Sequence, residues 1–137
     1  MTYWSSVHMK TIKISPNYIG YFFRCLIPLY TINDPEKEEL FELNFENRSS
    51  IRRLANEYLI PCYQRLSISD QFRIKESLRY AMNFWPDEIL HAQYTYGIPP
   101  EILTKEFLMK IWDDMFNGED ISINDASNYK IIDFKYP

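Results

Sequence analysis

Apolar side chains along this chain recur mostly every three or four residues, and the densest run of them lies between Ser69 and Phe116. Ser69 followed by Asp70 has the makings of a helix start: a hydroxyl that can accept from a first-turn amide, beside an acid at the positive end of the dipole. Phe72, Leu78, Ala81, Met82 and Trp85 then fall on one face, which predicts a helix over Ser69–Trp85. Trp85-Pro86-Asp87-Glu88 ends it and opens a second, Pro86–Tyr96, because proline disfavours helical backbone just before it yet fits the first helical position. Gly97 is its expected left-handed stop. A third helix, from around Pro100 through Phe116, carries Leu103, Phe107, Ile111 and Met115 in one row with Leu108, Trp112 and Phe116 beside it. So wide an apolar stripe predicts the central helix, closed by Asn117-Gly118 with Gly118 as the cap.

The same spacing upstream predicts a buried helix over Asn17–Tyr30, starting after Pro16 and ended or kinked by Pro28. Another begins at Asn33-Asp34-Pro35-Glu36, and a further one spans Ile51–Leu66, capped by Ser49 or Ser50 and interrupted by Pro61. Lys10–Ser15 and Tyr129–Tyr136 alternate instead, a short-strand pattern that could pair the two ends of the chain. Met1–Met9 is expected to be a tail. The fold class is therefore all-α or mainly α, one helical domain over residues 1–137 built as a bundle of about six helices.

Composition adjusts this picture only slightly. A chain of 137 residues is one domain's worth, and three glycines argue against a turn-rich all-β fold. A net charge of −4 excludes an overall basic footprint for nucleic acid. Tyr18–Tyr30 is too short and too interrupted to span a bilayer, and Met1–Lys10 lacks the apolar core of a signal peptide, so a cytoplasmic protein with no membrane association is expected. Cys25 and Cys62, set in apolar surroundings without CxxC spacing, are expected to be buried free thiols.

Reactive groups are scarce. Glu88 and His91 have the Glu-x-x-His spacing of di-iron bundles, but no second copy accompanies them. A Cys25 or Cys62 nucleophile paired with His91 lacks a recognisable electropositive setting. No phosphate loop, nucleophile elbow or zinc spacing occurs. No catalytic residue, metal ligand or cofactor site is expected, and the chain is not expected to be an enzyme.

Two surface features remain. Acids gather in two blocks, Asp34–Glu46 and the set Asp113, Asp114, Glu119, Asp120 and Asp125, the second containing no Lys or Arg. Tyrosines stand at boundary positions, notably Tyr94 and Tyr96. Carboxylates that steer an encounter and aromatic anchors that fill its centre are what covering a basic partner requires. Asp113, Asp114, Glu119, Asp120, Asp125, Tyr94 and Tyr96 are the candidate partner-binding residues, and reversing Asp113, Asp114, Glu119 and Asp120 to lysine is expected to leave folding intact.

In size, acid- and tyrosine-rich surface and lack of catalytic groups, the whole chain resembles the immunity proteins of bacterial polymorphic toxin systems, including contact-dependent growth inhibition. Tyr129-Lys130-Ile131-Ile132-Asp133-Phe134-Lys135-Tyr136 also resembles the AT-rich coding of such horizontally moving loci. The resemblance implies a non-catalytic inhibitor that neutralises a cognate toxin domain, often a nuclease with a basic groove. Two alternatives stay open: a mobile-element or phage accessory protein that binds another host factor, and a nucleic-acid-binding regulator using the Arg48, Arg52 and Arg53 patch with Arg73, Lys75 and Arg79.

Overall fold

The computed structural model describes residues 11–26, 48–92 and 104–133. Helix makes up 72% of what it describes, beside one short two-stranded sheet, so the chain is mainly α. Strand β1 (Ile12–Ile14) leads into α1 (Pro16–Phe23) and a tightened 3-10 turn (Arg24–Leu26). Ser15 caps α1: its backbone is extended and its Oγ accepts the Asn17 N–H at 3.2 Å, while Pro16 takes a position where a missing N–H costs nothing. Residues 27–47, with Pro28 and the Asp34 helix start, lie outside the described residues.

The expected helix around Pro61 is one run in three pieces: α2 (Arg48–Leu54), a single widened π turn (Ala55–Leu59) and α3 (Ile60–Arg65). Pro61 has no N–H to give to a carbonyl one turn back, and the ladder loosens just ahead of it, where the Ile60 N–H reaches Ala55 O. Next comes α4 (Ile68–Phe84), whose cap is Ser67 rather than Ser69: Ser67 Oγ accepts the Asp70 N–H at 3.0 Å. The hydroxyl placed three residues ahead of Asp70 outweighs the one beside it, so the cap lies two positions earlier than Ser69 and the helix begins at Ile68.

Helix α5 (Asp87–His91) follows Pro86, and α6 (Lys105–Phe116) is capped by Thr104, whose Oγ1 accepts the Phe107 N–H. That start is later than Pro100. Asp87 Oδ1 also accepts the Lys105 N–H at 3.0 Å, tying the first turn of α5 to the first turn of α6. Asn117 (φ 53°) and Gly118 (φ 71°) both turn left-handed after α6, so the stop is shared by two residues. A 3-10 turn (Ala126–Asn128) then leads into β2 (Tyr129–Ile131), which pairs with β1 in parallel, Ile12 opposite Tyr129 and Ile14 opposite Ile131.

Helices α4 and α6 share the centre. Against α4 pack β1 and α1, and against α6 pack α2 and the π turn. Their meeting faces bury Tyr18, Phe22, Phe23, Ile51, Leu54, Leu59, Ile74, Leu78, Ile111 and Trp112 almost completely. A buried hydrogen bond from Ser15 N–H to Ser77 Oγ fixes the end of β1 on α4.

The cysteines depart from expectation: Cys25 and Cys62 are joined in a disulfide, with Cα atoms 5.8 Å apart. Cys25, in the 3-10 turn after α1, packs against the core, and the contact of that turn with the π turn just ahead of α3 brings two residues 37 apart in sequence into bonding range. Neither sulfur is then available as a nucleophile beside His91. No helix of the described residues is long and apolar enough to cross a membrane.

Candidate partner-binding face

The second acid block looks uncompensated in sequence, but in space it meets cations from other helices. Asp114 on α6 has a side chain only 8% exposed; its Oδ1 accepts from Arg48 Nη2 at 2.7 Å and lies 3.8 Å from Arg52 Nε, both on α2. Asp114 Oδ2 is enclosed without a hydrogen-bond partner among the described residues. Glu119, just after α6, is held by Lys75 Nζ at 2.9 Å and Arg79 Nη2 at 2.8 Å, both from α4. Those two bonds, the Lys75 one foremost, keep the Glu119 carboxyl below the usual glutamate range.

Reversing all four acids to lysine would therefore not leave folding untouched, because Asp114 and Glu119 pin α2 and α4 to α6. Asp113 is half-buried on α6. Asp120 and Asp125 differ from Asp114 and Glu119: their Oδ1 atoms accept from the amides and hydroxyls of Ser122 and Ser127, which lowers both pKa values, and neither makes an ion pair among the described residues. Tyr94, Tyr96 and the Asp34–Glu46 block lie outside the described residues. The arginine patch is likewise occupied: Arg48 and Arg52 face Asp114, and Arg53 lies 3.5 Å from Glu57.

Around Glu119 the chain builds a layered contact that composition did not reveal. Trp112 Nε1–H donates to Glu119 O at 2.7 Å, and its ring lies under the Arg79 guanidinium at 5.1 Å and against Phe116 at 4.6 Å. Lys75 Nζ sits 4.7 Å from the Phe116 ring centre. Arg79 also bonds Glu76 at 3.2 Å; burial works to lower its pKa, but Glu76 and Glu119 together raise it. Glu76, a buried acid, accepts the Tyr129 hydroxyl at 2.6 Å, and burial followed by that bond holds the Tyr129 phenol far above its ordinary value. The 119–122 loop is strapped down further by Asn83 Nδ2 to Ile121 O at 2.9 Å.

Beside this network an open cleft of about 330 Å³ runs between α4, the 122–128 loop and the start of β2. Glu76, Arg79, Ser122, Asp125, Asn128 and Tyr129 line it, with Ile12 at its floor. From its Tyr129 wall a ladder of rings leads outward: Tyr129 to Tyr80 at 5.4 Å, then Tyr80 to Phe84 at 4.7 Å, with Trp85 at 5.2 Å from Tyr80. Phe84 is 47% exposed, a large apolar surface for a helix end.

Of the residues singled out in sequence, Glu119 and Asp120 meet at Arg79, Asp125 lines the cleft that Arg79 borders, and Asp114 turns inward toward α2. Tyr80, Phe84 and Tyr129 were missed. The spacing Glu76-Tyr80-Phe84, a single row along a helix, was the available signal. His91 Nε2 is enclosed without a partner among the described residues, and no group of His, Cys, Asp and Glu among them is arranged to hold a metal. No protein-family model, curated protein or solved structure matches the chain.

Proposed function

We propose that this chain is a non-catalytic inhibitor that binds and neutralises a cognate toxin domain in the cytoplasm, the target class being a domain with a basic groove such as a nuclease. The observation that carries this is the cleft face: Asp125, free of ion pairs among the described residues, lines the cleft with Tyr129, from which the ring ladder Tyr129–Tyr80–Phe84 leads outward. Asp120, likewise without an ion pair among them, holds the turn that brings Ser122 to the cleft. Carboxylates so placed speed the approach of a basic partner and fix its register. Half-exposed aromatic rings supply the apolar anchor that charge alone does not. The same face would serve a mobile-element or phage accessory protein that grips another host factor, and the partner's identity separates the two. A nucleic-acid regulator has less support, since Arg48, Arg52 and Arg53 each already face a carboxylate.

The test is co-expression with the product of the neighbouring open reading frame, scored by rescue of growth and then by binding kinetics. Asp120→Asn with Asp125→Asn keeps an acceptor for each serine turn while removing charge. The pair should slow association roughly tenfold at low salt and flatten its salt dependence. Phe84→Ala should speed dissociation. Rescue by both variants with unchanged kinetics would place the interface elsewhere, and absence of any partner would remove the reading altogether.

A further inference from the structure

The run Arg48–Arg65 has one weak joint, the π turn Ala55–Leu59 directly ahead of Pro61. On its near side α2 and the π turn bury Ile51, Leu54, Ala55 and Leu59; beyond it, α3 buries no residue fully. What holds α3 is therefore specific. Tyr63 donates its hydroxyl to Gln71 O at 2.7 Å and sets its ring edge-on against Phe22 at 5.9 Å and Phe116 at 5.7 Å. Cys62, its neighbour, is bonded to Cys25 at the 3-10 end of α1. Both cysteines are only half-buried, within reach of a small thiol.

We propose that the Cys25–Cys62 bond is a redox latch: oxidised, it pins α3 to the end of α1, and reduced, it loosens the short stretch between the π turn and α4 while the α4–α6 centre stays folded. A thiolate of a dithiol reductant attacks one sulfur, forming a mixed disulfide and releasing one cysteine. The reductant's second thiol then displaces the other. Two electrons and two protons pass to the cysteine pair, and the reductant leaves as its own disulfide. Relatching requires a disulfide oxidant and runs the same steps backward. A π turn within a helix is frequently a functional site, and in the cytoplasmic setting proposed above, on which this step rests, a disulfide is more often a transient, regulatory bond than a permanent strut. The centre survives because its contacts, Ile74, Leu78, Ile111, Trp112 and the Lys75–Glu119–Arg79 bridge, pass through neither cysteine. The inference is independent of what the cleft face binds.

Hydrogen exchange of the full chain, read by mass spectrometry before and after dithiothreitol, tests it. Amides over 60–66 should exchange at least ~10-fold faster after reduction, while those over 74–82 in α4 keep their protection, as expected of a local rather than global opening. The Cys25→Ser, Cys62→Ser double variant should match the reduced pattern and ignore the reductant. Equal loss of protection along the whole chain, no change anywhere, or two titratable thiols in the air-oxidised protein would each overturn the proposal.

Discussion

Asp114 shows how one side chain can be read two ways. As an acid in a run of acids it suggests surface; at 8% exposure, facing Arg48 and Arg52, it is a fastening between α6 and α2. Arg48→Ala would leave that carboxylate enclosed with only Arg52 at 3.8 Å, and should destabilise the protein by about 1–3 kcal/mol in urea unfolding. Adding Asp114→Asn should restore part of the loss, since the stranded charge is gone. Tyr63 makes a separate prediction. Burial first, then Glu76 and Glu119, push its phenol from 10.0 up to about 12. Because the unfolded chain gives up that proton first, the stabilisation is complete below pH 10 and drains away as pH rises toward 12. Unfolding midpoints measured across that window should fall more steeply for wild type than for Tyr63→Phe. Glu119 works in the opposite sense: its depressed pKa lends stability above its ordinary value of 4.5 that is lost as pH falls through the folded value, and its exposure means added salt should weaken the effect.

Elements were more legible than contacts. The 3.6-residue spacing placed α1, the Arg48–Arg65 run, α4, α5 and α6, because each is written in neighbouring residues. Prolines marked the starts of α1 and α5, whereas Ser49 and Ser50, expected as caps, lie inside α2, and α4 and α6 start from Ser67 and Thr104 instead of Ser69 and Pro100. What escaped were facts that depend on two distant stretches meeting. Arg48 lies 66 residues before Asp114, and Arg79 lies 40 before Glu119, so no local window shows either acid to be answered. The cysteine pair escaped for the same reason. The ring ladder was missed because Tyr80 and Phe84 look like ordinary core positions until Tyr129 arrives beside them. For α6 the consequence is testable: Trp112→Ala removes a side chain that is 1% exposed and layered between Phe116 and Arg79, and should cost about 3–5 kcal/mol. Gly118→Ala meets no atom within 4 Å, so its cost, about 1–2 kcal/mol, should come from the left-handed backbone alone.

For the molecule as a whole, the balance of charge matters less than its distribution. Among the described residues, four of the seven ion pairs tie α2 or α4 to α6 or to Glu119 just after it, while Asp125 stands without an ion pair in the cleft beside Tyr129. Asp120→Asn with Asp125→Asn should leave the thermal midpoint within a degree or two of wild type, and on the proposed function should also slow the partner's association. The parallel match of Ile12–Ile14 with Tyr129–Ile131 carries one more implication. During synthesis the first strand leaves the ribosome long before its mate has been translated, so it must wait with an open edge while every helix between them is made. Its brevity and the outward Lys13 suit that wait, since a short, charged edge offers little for a neighbouring nascent chain to zip onto.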